Sequence, residues 1–117
     1  MASVIDVEVG PGERVMVPTG VAVAIPDGHA GLVLPRSGLA SRQGLTLANA
    51  PGLIDPGYRG EITCVVVNLD RSRAVKIRKG DRIAQLVVVP SPVVEAGWVE
   101  ELPDSERGQS GFGSTGV

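Results

Sequence analysis

Ile62-Thr63-Cys64-Val65-Val66-Val67-Asn68-Leu69 is the stretch on which the fold turns. It is nearly all apolar and rich in β-branched side chains, which are stiff at χ1 and suit a pleated surface. Its length and continuity predict a strand buried on both faces. Outward from it, short apolar runs alternate with turn signals. Upstream, Ile5, Val7 and Val9 share one face, and Val15 and Val17 alternate with Arg14 and Met16. Val21–Ile25 reads as a strand closed by Pro26-Asp27-Gly28, and Gly31–Leu34 as another closed by Pro35. Downstream, Arg73–Arg78 has Val75 and Ile77 inward, and Ile83–Val89 follows a Gly80-Asp81 turn. Beyond a stiff Pro90/Pro92 hinge, Val93–Glu100, with Trp98, reads as a last strand. Turns at a spacing of about 8–12 residues predict an all-β sandwich or barrel. One segment differs: Ser37 as N-cap and Gly44 as C-terminal glycine predict one or two helical turns.

Composition sets the bounds. The 117 residues suit one domain. A single Trp, Tyr and Phe leave an aliphatic core in which valine dominates. Eleven basic and thirteen acidic residues give a net charge of −2 and no clustered phosphate footprint, so no nucleic-acid partner is expected. One cysteine and one histidine exclude a disulfide framework and a cysteine- or histidine-built metal site. No apolar run is long enough to span a membrane and the start lacks the plan of a signal peptide, so the expected location is the cytoplasm.

Several segments carry chemistry. Pro35-Arg36-Ser37-Gly38-Leu39-Ala40 would give a helix start with free N–H groups, a hydroxyl and a guanidinium. It reads either as a capped surface turn or as an anion site. Asp55-Pro56-Gly57-Tyr58 matches a type II turn, in which Asp55 merely opens the turn or stands beside a pocket as a base. Gln85 falls on the opposite strand face from Arg82 and Ala84. The tail Arg107-Gly108-Gln109-Ser110-Gly111-Phe112-Gly113-Ser114-Thr115-Gly116 is either a disordered appendage or a phosphate- and base-contacting loop. Cys64 reads as core, His29 as exposed, and Trp98 as core or interface.

Together these segments resemble the trimeric dUTPase family. The matching motifs are Pro35–Ala40, Gly52–Glu61, Arg82–Leu86 and Arg107–Gly116, in the family's order and spacing. The resemblance implies a distorted jelly-roll-like β-barrel with one short helix, forming a homotrimer with shared active sites. A barrel over residues 1–104 would be followed by a glycine-rich tail, 105–117, closing over a neighbouring subunit's site. The implied reaction is water attack on the α-phosphorus of dUTP, giving dUMP and pyrophosphate. That activity keeps uracil out of DNA and supplies dUMP for thymidylate synthesis. Asp55 matches the aspartate that activates water, and Arg107 the tail's arginine finger. Arg36, Ser37, Gly38 and Gln85 match phosphate ligands. Asn49 matches the asparagine near the uracil edge and Tyr58 the ring beneath the deoxyribose, with Gly52 and Ile54 as further substrate-binding positions. Phe112 matches the ring over uracil, and Gly113, Ser114 and Thr115 the γ-phosphate contacts. Mg²⁺ would be held by the triphosphate and water, without direct protein ligands.

The chain departs from the family at Ser110, where glycine is usual. It also starts after the point where the family has a strand bearing an Ala-Gly-x-Asp-Leu motif, whose aspartate holds a water on Mg²⁺. Asp6 is a poor substitute. That difference leaves a non-catalytic nucleotide- or partner-binding trimer as the alternative reading. The dCTP deaminase branch shares the Ile-Asp-Pro-Gly segment but has a catalytic glutamate in the strand after it. Here Val65 stands at that place and cannot shuttle protons.

Overall fold

A computed structural model describes residues 1–116 of the chain. Its elements run β1 (Val7–Val9), β2 (Arg14–Pro18), β3 (His29–Pro35), α1 (Ser37–Gln43), β4 (Leu45–Leu47), β5 (Gly52–Ile54), β6 (Thr63–Asn68), β7 (Val75–Ile77) and β8 (Ala84–Pro90). They form three antiparallel sheets, β1–β7, β2–β6–β4 and β5–β3–β8. The all-β, jelly-roll-like architecture with one short helix is the expected one. The barrel stays open as separate sheets.

β6 lies at the centre of its sheet. Cys64 pairs with Val17, and Val66 pairs with both Val15 and Leu47. Cys64, Val66 and Asn68 are buried, whereas Thr63, Val65 and Val67 are only half-buried. The run is therefore buried on one face, not on both as its apolar character predicts. Its outward valines meet cross-strand neighbours, Met16 beside Val65 and Arg14 and Thr46 beside Val67, rather than a second layer of this chain. The core joins Val9, Val17, Leu45, Leu47, Ile62, Cys64, Val66, Val75, Ile77 and Ile83, with no aromatic ring among them.

Asn68 is the polar knot of this core. Its Nδ2 donates to the carbonyls of Val9 and Arg73 at 3.0 and 2.8 Å, and its Oδ1 accepts the Asp70 N–H at 2.9 Å. One side chain thus ties β1, β6 and the loop before β7.

Four local expectations need correction. Val21–Ile25 forms no strand. It receives one backbone bond, from the Ile62 N–H to the Val21 carbonyl, and buries Ile25 without joining a ladder. Val93–Glu100 forms no strand either, because Pro90 and Pro92 lack donors and, among the described residues, no strand pairs with it. Trp98 there is fully exposed, so it is not core. Arg36 rather than Ser37 occupies the N-cap of α1, in extended backbone and without a side-chain cap bond. His29 is half-buried on β3 rather than exposed, with Nδ1 3.0 Å from the Asp27 carbonyl. Gly44 does close α1, at φ 66°, where an added Cβ would meet the Asp70 nitrogen at 2.9 Å. Among the described residues no helix is long and apolar enough to cross a membrane.

Candidate active site

The site is organised by the turn after β5. The Tyr58 N–H donates to the Asp55 carbonyl at 3.1 Å, closing the expected turn. Gly57 does not take a positive φ, so the turn is not type II as Pro56-Gly57 predicts. Glycine permits that conformation without imposing it. The Arg59 guanidinium donates to the carbonyls of Pro56 and Tyr58 and clasps the turn from outside. The Tyr58 hydroxyl folds back and donates to the Glu61 carbonyl at 2.9 Å. The Glu61 carboxylate accepts the Gly20 N–H at 2.7 Å, and the Thr19 hydroxyl donates to the Ile62 carbonyl at 2.6 Å. The segment carrying Asp55 is thereby stitched to the end of β2.

This turn borders a pocket of about 330 Å³, within the small-molecule range. Asn49, Gly52, Ile54, Asp55 and Tyr58 all line it, as do Val33, Leu47 and Cys64. Gly52 lets the chain close up, since an added Cβ would lie 3.3 Å from Val33 and 3.4 Å from the Asn49 amide nitrogen. Burial pushes the Cys64 thiol up from its ordinary pKa, so it serves as an apolar wall. The lining combines apolar faces, an amide with both donor and acceptor, a phenol and a carboxylate. Such a set suits a flat heterocycle joined to a sugar, with a carboxylate in the lining available as a base.

The remaining predicted residues lie apart from this pocket. The antiparallel pairing of Leu34 with Gln85 and Pro35 with Ala84 sets the end of β3, just before Arg36, against the start of β8. The Gln85 Nε2 donates to the Pro35 carbonyl at 3.0 Å, and the Arg36 guanidinium donates to the Arg82 carbonyl at 2.8 Å. Arg36 and Gln85 form a second polar cluster at this junction, with Ser37 and Gly38 following in the first turn of α1, and none of the four lines the pocket. The tail forms a third group. The Arg107 Nε donates to the Ser110 carbonyl at 2.8 Å, and Phe112, Gly113, Ser114 and Thr115 are exposed. Val117 lies outside the described residues.

Sequence reasoning missed Met16, Leu47, Glu61 and Thr63, which also line the pocket. Met16 alone carried a signal, as a large apolar side chain on the outward face of an alternating strand. It also missed Arg42, whose guanidinium lies over Gly38 so closely that an added Cβ would sit 2.8 Å from it.

Among the described residues no three His, Cys, Asp or Glu side chains converge to hold a metal ion. Arginine, amide and hydroxyl groups dominate the second cluster. That donor set fits a cation carried on a polyphosphate and its waters.

The family model for dUTPase matches residues 1–116. The chain belongs to the dUTPase family. It is 61% identical to the deoxyuridine 5'-triphosphate nucleotidohydrolase of Cutibacterium acnes, over 96% of this chain and 74% of that protein. It is 58% identical to that of Leifsonia xyli subsp. xyli, over 91% and 70% of the two chains. Against the Streptomyces avermitilis dUTPase it is again 58% identical and covers 93% of itself but 62% of that protein. Among solved structures, a mutant of the Staphylococcus bacteriophage 80alpha dUTPase with dUpNHpp superposes with a TM-score of 0.91 at 34% identity, covering 100% and 84%. A mutant dUTPase of phage phi11 of S. aureus, described for its coordination of a structural Mg(II) ion, matches with a TM-score of 0.82 at 29% identity, covering 89% and 83%. The dUTPase family thus covers the pocket, the second cluster and the tail together.

Proposed function

We propose that the chain acts as its family does, hydrolysing dUTP to dUMP and pyrophosphate, with Asp55 as the base that activates water against the α-phosphorus. The observation that carries this is the gathering of Asn49, Asp55 and Tyr58 around one nucleoside-sized pocket. The Asn49 amide offers complementary groups to the uracil edge. The Tyr58 ring lies beneath the deoxyribose and leaves no room for a 2′-hydroxyl. The Asp55 carboxylate removes a proton from water as the oxygen attacks phosphorus, and the P–O bond to the leaving pyrophosphate breaks. Arg36, Ser37, Gly38 and Gln85 bind phosphate oxygens, and Gly52 and Ile54 shape the pocket.

The pocket, the second cluster and the exposed tail do not meet within one chain. That separation supports a homotrimer with sites shared between subunits, in which Arg107, Phe112, Gly113, Ser114 and Thr115 of one chain close over a neighbour's nucleotide. Exposed Val87, Val88, Val93, Val94 and Trp98 support the same reading, since such apolar surface calls for a cover. Mg²⁺ carried by the triphosphate would neutralise part of its charge. The chain works in the cytoplasm, where DNA precursors are made.

The experiment is Asp55→Asn, read by pyrophosphate release from dUTP and by nucleotide binding. Loss of the base should lower the rate by about 10²–10⁴ with binding retained. A wild-type rate in this variant would assign activation of the water to another group.

A further inference from the structure

Core packing does not hold the Tyr58 ring, which is 43% exposed. Local contacts do. Its hydroxyl reaches the Glu61 carbonyl at 2.9 Å, and the ring closes over Gly60. A Cβ added at Gly60 would lie 2.5 Å from the phenolic oxygen, 2.7 Å from the ring carbon that bears it and 3.1 Å from the next. The nearest atoms are all Tyr58's own. Gly60 does not take a positive φ, so the backbone tolerates any L-residue there and the conflict is with the ring alone. The Glu61 end of the brace is anchored by its carboxylate on the Gly20 N–H at 2.7 Å and by the adjoining Ile62 N–H on the Val21 carbonyl at 2.8 Å.

We propose that Gly60 is a positioning residue for sugar selection: its bare α-carbon lets the Tyr58 ring fold back onto the Glu61 carbonyl, the stop that sets the ring's distance from the sugar. The proposal rests on the assignment of Tyr58 to the sugar. A methyl group at position 60 displaces the ring from that stop without touching Asn49 or Asp55. The uracil edge and the water-activating base stay in place, while the gap at the 2′ position changes.

The test is a double-mutant cycle on the full chain with Gly60→Ala, Tyr58→Ala and the pair, reading kcat and KM for dUTP and UTP. Gly60→Ala should lower the dUTP-over-UTP ratio of kcat/KM by about tenfold or more, the scale on which one methyl group in a pocket discriminates. In the Tyr58→Ala background the same change should do nothing further, because the ring it acts through is gone. An unaltered ratio in Gly60→Ala, or an equal loss in both backgrounds, overturns the proposal. Tyr58→Ala alone tests the underlying assignment: unchanged sugar discrimination there removes Tyr58 from its role. Discrimination lost in Tyr58→Ala but kept in Gly60→Ala rejects only the part given to Gly60. If Gly60→Ala fails to fold, the pair must fold, since the clashing ring is absent; a pair that also fails refutes the ring as the cause.

Discussion

At the scale of single residues, Asn68 shows how an aliphatic core of this size is held in register. Its side chain is wholly buried and meets three backbone groups, one on β1 and two in the loop before β7. Asn68→Ala should cost about 3 kcal/mol or more, because two buried carbonyls and one N–H lose their partner together. Denaturant unfolding measures it, and a loss below about 1 kcal/mol would mean that water replaces the amide. Nothing in the sequence marked this residue, since an asparagine inside a valine run looks like any outward polar position. Asp55, Asn49 and Tyr58 were legible for other reasons. The turn made Asp55 a candidate, and the family resemblance, rather than turn chemistry, singled out Asn49 and Tyr58. The turn type was misread because Gly57 can adopt φ > 0 but here has no need to.

At the scale of elements, the loop between β6 and β7 carries its own pH dependence. The Asp70 carboxylate accepts the N–H groups of Ser72 and Arg73, each at 2.9 Å, and meets the Arg73 guanidinium at 3.2 Å. These bonds, led by that from Ser72, hold its pKa down at about 2 against an ordinary 3.8. A lowered pKa in the folded state gives stability that is present above the unfolded value and lost as the pH falls through the folded one. The wild-type chain should therefore lose its advantage over Asp70→Asn between about pH 4 and pH 2, as melting temperatures at stepped pH would read out. A difference that stays constant across that window would contradict the bonding assigned to Asp70.

The tail is the second element with a clear test. Residues 105–116 are exposed and add no apolar mass to the core, Phe112 included. Removing everything after Ser105 should leave the melting temperature and a three-chain mass unchanged while turnover of dUTP falls at least about a hundredfold, since several charge-assisted contacts of about 1.5–3 kcal/mol each are lost. Light scattering, calorimetry and turnover on one preparation decide it. Unchanged turnover would make the tail a mere appendage, and a collapsed melting temperature would make it part of the fold. Sequence periodicity found β2, β3, β6, β7 and β8 because their valines alternate or run together. It failed at 21–25 and 93–100, where apolar side chains have the composition of a strand but no partner strand in the same chain. Pairing is non-local, and no local pattern reports it.

At the scale of the whole molecule, the radius of gyration is 18.7 Å, against about 13 Å for a compact chain of this length. The excess comes from the segment after β8, which extends away from its own sheets with Val93, Val94, Trp98 and Leu102 bare. The extended apolar arm, the polar cluster apart from the pocket and the exposed tail are the features that the proposed assembly of three chains would bring together. Under the proposed function such an assembly would discriminate as much as hydrolyse, with the pocket pairing polar groups with the base and crowding the sugar. The most direct measurement is pyrophosphate release from dUTP, dCTP, dTTP and UTP at equal concentration with Mg²⁺. Turnover of dUTP should exceed that of the other three by about 10⁴-fold, the margin of a site built to pair polar groups. Binding of dUTP without turnover would support the non-catalytic alternative, and equal turnover of all four would contradict the pocket's assignment.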